Sequence, residues 1–198
     1  MIYVGLDLAG SETRATGACT IDHRLRVRCS VVHSDEEILS LVKRSGTRIV
    51  AIDAPLALPI GRHCLGEHCR GRAHFRACDV ALRRMRIRFF PITLGPMRTL
   101  TARGMRLLRL LRRHDVDVIE TYPGAAQDLL GIPRKQHGLE ALQGSLRKIG
   151  CTGDIETRQL TGDELDAINC ALVAKQYGEG HYLAIGDPHE IMMILPRT

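Results

Sequence analysis

The sequence predicts an α/β fold, a mixed sheet with helices on both faces. Three extended runs open the chain, and helical and strand patterns then alternate as in βα units. The core must be aliphatic, because tryptophan is absent and aromatic residues make up only 4% of the chain. Runs such as Ile49-Val50-Ala51-Ile52 are apolar at every position, as strands covered on both faces are.

Residues 2–8 form the first expected strand. Thr13 to Ile21 and Leu25 to Val32 follow as a hairpin turning around Asp22-His23, so three antiparallel strands begin the chain. Ser34 with Glu37 makes a capping box for a helix starting at Asp35, which buries Ile38, Leu41 and Val42. Arg48 to Asp53 is a fourth strand, stopped by Ala54-Pro55. Thr101 to His114 reads as a helix with an apolar stripe at Met105, Leu108 and Leu111. Val116 to Thr121 is the fifth strand. Pro123 suits the first turn of another helix, and Leu139, Leu142, Leu146 and Ile149 repeat at helical spacing. Thr161 and Glu164 make a second capping box for a helix ending near Gly178. Tyr182 to Ile185 and Ile191 to Leu195 form a terminal hairpin outside the five-stranded sheet.

At 198 residues the chain fits one domain with an insertion at about residues 55–100. That insertion is rich in Arg, Gly, Pro, Cys and His, with a short helical piece from about His74 to Met85. From Arg62 to Arg113 there are fourteen arginines, no lysine and two acids, Glu67 and Asp79. The choice of arginine favours a polyanionic partner, since guanidinium binds phosphate bidentately; a solvated surface is the plainer alternative. Arg76, Arg83 and Arg84, at helical spacing around Asp79, are the candidate nucleic-acid contacts, and some of them could instead balance acids. Phe89-Phe90-Pro91 offers rings for base stacking or for packing the insertion on the sheet.

Seven cysteines do not make a disulfide framework. No basic leader precedes the first strand, and no apolar run approaches the ~20 residues of a membrane span. Together these point to a cytoplasmic protein with reduced or metal-bound thiols. Cys64, Cys69 and Cys78, with His68, are candidate ligands for a structural zinc; reduced cysteines packed as small apolar groups are the alternative.

The chemistry lies in the acids. Asp7, Asp53 and Glu120 each end an apolar strand, where ligand sites of open α/β sheets form. Asp163 and Asp166, three apart, share one face near the start of the last long helix. Crowded acids persist with divalent cations or with raised pKa values. Two Mg²⁺ or Mn²⁺ ions could activate a water and stabilise the leaving oxygen of a phosphodiester. Each acid also has a structural reading. Asp7 and Asp53 could cap turns, Glu120 could pair with an arginine, and Asp163 could favour the helix N-terminus.

Five ordered segments carry a family resemblance. They are Val4-Gly5-Leu6-Asp7-Leu8-Ala9-Gly10, Ala51-Ile52-Asp53-Ala54-Pro55-Leu56, the run Arg76 to Arg84, Glu120-Thr121-Tyr122-Pro123-Gly124-Ala125 and Asp163-Glu164-Leu165-Asp166-Ala167. The chain resembles the predicted-nuclease group of RNase H-like proteins, domain of unknown function 429. Its Asp-x-x-Asp helix is similar to that of RuvC-type Holliday-junction resolvases. The resemblance implies an RNase H-like fold and acids at Asp7, Asp53 and Asp166, with Glu120 and Asp163 beside them.

The expectation is a metal-dependent nuclease acting on DNA or RNA, its oligomeric state open, a homodimer included. Two rivals remain at this point. Asp7-Leu8-Ala9-Gly10-Ser11 resembles the first phosphate loop of actin/hexokinase-type phosphotransferases. A non-catalytic nucleic-acid-binding protein would need only the basic insertion.

Overall fold

A computed structural model describes all residues except Glu67, His68, Arg70, Arg72 and Thr198. The three opening strands are β1 (Ile2–Asp7), β2 (Thr16–Asp22) and β3 (Arg26–Val32), followed by α1 (Asp35–Ser45) and β4 (Ile49–Asp53). The insertion carries α2 (Ala77–Arg84) and leads into α3 (Gly95–Arg112). Then come β5 (Asp117–Thr121), α4 (Pro123–Leu130), α5 (Leu139–Ile149), β6 (Thr152–Gly153) and α6 (Asp154–Thr157). The chain closes with α7 (Gly162–Gly178), β7 (Tyr182–Ile185) and β8 (Met193–Pro196).

The α/β class holds, but the sheet has eight strands where five were expected, in the order β6-β3-β2-β1-β4-β5-β8-β7. The terminal hairpin does not stand apart: β8 pairs parallel to β5 and extends the sheet. β1, β4 and β5 run parallel at its centre, so their C-terminal ends share one edge. Both capping boxes form, at Ser34 with Glu37 and at Thr161 with Glu164. Helix α3 begins six residues before the expected start at Thr101, and Pro96 lies in its first turn, where a missing N–H costs nothing.

Side chains alternate across the sheet. Val4, Leu6, Val50, Ile52 and Val118 face α1 and α3, while Tyr3, Ala51 and Ile119 face α7 and α5. Helix α7 is buried on every side from Glu164 to Ala174. It reaches the sheet over two glycines. A Cβ on Gly5 would run into the Ala167 carbonyl and the Ala171 amide, and one on Gly17 into the Asp163 carbonyl. These clashes are with backbone, which cannot swing aside. Gly5→Ala or Gly17→Ala is expected to cost 1–3 kcal/mol, on the order seen for overpacked cores, or more. Urea unfolding checks this; unchanged midpoints would mean that α7 can lift at no cost.

The insertion is tied down by buried polar groups. Glu190 accepts hydrogen bonds from the amides of Ile60 and Ala77. Arg62 is buried and donates to the carbonyls of Cys64, Gly66, Gly71 and Ala73. Among the described residues no helix is long and apolar enough to cross a membrane.

Candidate active site at the strand edge

Asp7 and Asp53 end neighbouring parallel strands and are paired in register, so both carboxylates project to the α7 side of one sheet edge. The close approach of α7 over Gly5 and Gly17 brings its first turns to the same place. Asp166 is buried there and Asp163 lies half exposed at the rim. Gln127 of α4 donates to Asp166 Oδ1 at 2.6 Å. A cleft of about 320 Å³ opens beside Asp7, between the 8–11 turn, the start of α3, Lys135 and Asp163.

Lys135, on the turn after α4, completes the cluster. Its Nζ lies 2.8 Å from Asp166 Oδ2, 3.2 Å from Asp7 Oδ2 and 3.4 Å from Asp163 Oδ1. Burial alone would lower the ammonium's pKa, but Asp7 and Asp166 outweigh that and hold it above its ordinary value. Burial pushes Asp7 up to about 7; Lys135 offsets part of the rise, and Asp166 and Asp163 add to it. Asp53 is pushed well up by burial, then by Asp7 and Asp166. One cation thus serves several acids. Lys135→Met is expected to lower the thermal midpoint in EDTA and to enlarge the stabilisation that added Mg²⁺ gives. Scanning fluorimetry with and without Mg²⁺ decides it, and equal Mg²⁺ shifts in both proteins would sink the idea.

The cluster suits a hard divalent cation in donor chemistry, since all four acids offer oxygen. Two further observations agree. Among the described residues the Asp53 carboxylate has no hydrogen-bond donor, and the Thr121 Oγ1, in register with Asp53, is buried without a partner. As the side chains stand, no three acids among the described residues converge on one ion position; the shared Lys135 ammonium lies among three of them.

Glu120 does not join them. It pairs in register with Ile52, one residue short of the Asp53–Thr121 pair, and so faces α3 instead of α7. There it takes a bidentate pair from Arg76, 2.6 Å at each oxygen, and a hydrogen bond from the Leu56 amide. Both oxygens are used, which matches the arginine-partner reading and removes Glu120 from the candidate acids of the site.

Arg76 is corrected with it. It is 1% exposed, bound to Glu120 and Asp79, and out of reach of any phosphate. Arg83 and Arg84 are exposed, as a phosphate contact requires.

The zinc candidates divide. Cys64 and Cys69 lie near the surface, and their mutual hydrogen bond is the main cause that brings Cys69 down to about 6. Cys78 is buried instead against Leu82, Ala125, Met193 and Leu195, away from any surface ligand set. His68 lies outside the described residues.

The first turn is braced rather than open. Thr16 Oγ1 accepts from the Ala9 amide, and the buried Arg103 donates to the Ala9 and Ser11 carbonyls and to Asp35. The Arg-rich segment therefore spends Arg62, Arg76 and Arg103 inside the fold. Sequence reasoning missed Lys135, which lies in the polar run Arg134-Lys135-Gln136-His137, and Gln127, which lies in the mostly small and apolar α4 with no partner nearby in the chain to mark it.

Residues 5–191 match the family model described as "Protein of unknown function (DUF429)". No curated protein matches the chain. Among solved structures, the Thermus thermophilus RuvC structure aligns with a TM-score of 0.52 at 14% identity, over 91% of this chain and 97% of that one. That likeness is one of fold.

Proposed function

We propose that this chain, which belongs to the DUF429 family and shares the fold of RuvC, is a metal-dependent nuclease hydrolysing phosphodiesters of DNA or RNA. The observation that carries the reading is the in-register pair of Asp7 and Asp53 facing Asp166, three buried or half-buried acids at the edge where open α/β sheets bind ligands. Asp7, Asp53 and Asp166 would hold one or two Mg²⁺ or Mn²⁺ ions. Such ions generate a nucleophilic hydroxide from water and stabilise the departing oxygen.

The protein's own part is to fix and tune the carboxylates. β1 and β4 hold two of them on a rigid edge, and Gln127 orients the third. Lys135 neutralises the metal-free cluster, and the half-exposed Asp163 lines the cleft through which a phosphate approaches. Exposed Arg83 and Arg84 supply cationic surface for the nucleic-acid backbone. The braced 8–11 turn supports the phosphotransferase rival poorly, because the Ala9 amide is already bonded within the protein.

The test is cleavage of end-labelled single-stranded, duplex and branched DNA and RNA with Mg²⁺ or Mn²⁺, comparing wild type with Asp7→Asn. Metal-dependent products that vanish in the variant support the reading. Equal behaviour of the two proteins refutes it.

A further inference from the structure

Beside the acids lies a second, larger groove, about 830 Å³, on the other side of the Arg134–Lys135 step. Arg134 lines this groove, and the next residue, Lys135, bridges Asp7 and Asp166. Tyr122 lines it too and directly follows Thr121, the register partner of Asp53. Two residues that line the groove are thus chain neighbours of residues at the carboxylate cluster.

Its lining combines rings and guanidinium groups, with no acid. Phe90 is 69% exposed and Phe75 38%, large apolar surfaces for a protein with so few aromatic residues. Phe75 meets Phe89 edge to face at 5.9 Å, and the Arg83 guanidinium lies 5.2 Å over the Phe75 ring. Arg134 stacks on Tyr122 and is neutralised by Asp128. Arg83, Arg86 and Arg88 have no ion-pair partner among the described residues, so three cationic groups meet exposed rings on one concave wall. A purely packing role leaves Phe90 in water; a purely electrostatic surface has no need of the rings.

We propose that this groove receives an unpaired nucleotide, its base against Phe90 and Phe75 and its phosphates on Arg83, Arg86 and Arg88. A base within a duplex has both faces stacked and its edge paired, so only a splayed or single-stranded nucleotide can offer a face to the rings. The substrate class is then nucleic acid with unpaired nucleotides next to the bond at the acids, not continuous duplex. The identity of that bond rests on the nuclease reading above; the binding does not.

The test is run in EDTA, so that no cleavage intrudes, with short oligonucleotides carrying 2-aminopurine. Wild type is expected to bind the single strand at least about 10-fold more tightly than the blunt duplex of the same sequence, with a change in 2-aminopurine fluorescence. Phe90→Ala should weaken single-strand binding roughly 5- to 150-fold, the equivalent of about 1–3 kcal/mol per stacked base, and leave duplex binding unchanged. An abasic strand should bind wild type no better than the normal strand binds Phe90→Ala. Arg88→Ala should weaken both ligands and reduce the salt slope by about one charge. Equal affinity for duplex and single strand, or no effect of Phe90→Ala, overturns the proposal. Adding Mg²⁺ to the same strands separates the two readings. Base-dependent binding without cleavage keeps the groove and removes the nuclease; Asp7-dependent cleavage with Phe90-independent binding does the reverse.

Discussion

Asp7→Asn is expected to lower metal-dependent cleavage by more than about 100-fold while making the metal-free protein more stable at pH 8. The loss should exceed the ~10–100-fold that removal of a metal's outer-sphere partner costs, because Asp7 would touch the ion itself. The gain in stability follows from proton linkage. Asp7 has an ordinary value of 3.8 and is raised to about 7 by burial, net of Lys135, with Asp166 and Asp163 adding. Between about pH 4 and 7 the folded protein binds more protons than the unfolded chain, so stability falls as pH rises through that window. Above 7 the cost of the ionised carboxylate is fully present, and asparagine removes it. Urea unfolding in EDTA at pH 4 and pH 8 should show the variant ahead of wild type only at the higher pH. A variant that is inactive and equally destabilised at both values would indicate misfolding instead.

Arg76→Ala is expected to destabilise the protein by about 3–5 kcal/mol, because it strands the buried carboxylates of Glu120 and Asp79. For a chain of this length that corresponds to a fall in thermal midpoint of roughly 6–20 °C. Adding Glu120→Gln should recover part of the loss: the amide carries no charge and its oxygen still accepts from the Leu56 amide. Calorimetry of wild type, single variant and double variant tests this. If the double variant is no better than Arg76→Ala, the cost lies in lost packing around the guanidinium rather than in the stranded charge.

How much of this could be read from the chain depended on whether the signal was local. Asp7 and Asp53 stood out because a charge ends an otherwise apolar run. The Asp163–Asp166 spacing after a capping box placed both acids on one helical face. Glu120 carried the same strand-end signature and was misleading, because the face it points to depends on the β4–β5 register, and a shift of one residue reverses it. Arg76 looked like part of a basic surface, since the formal charge of a segment does not show which guanidinium groups are buried. Lys135 sits in Arg134-Lys135-Gln136-His137, where a lysine is unremarkable until the chain folds it onto three acids. The hairpin strands were visible, but their docking beside β5 was not, because β7 and β8 are short and their partner lies far away in the sequence.

The contact of α7 with Gly5 and Gly17 also bears on motion. It fastens the acids of β1 and α7 to the most deeply buried helix and the central strand, the parts of a domain whose amides exchange only on global opening. The carboxylates therefore cannot gather by local breathing of their own segments. In the proposed nuclease, any adjustment to a substrate would fall to groups outside this contact, such as the exposed Phe90. The amides of β1 and of α7 around these glycines are accordingly expected to exchange among the slowest in the molecule.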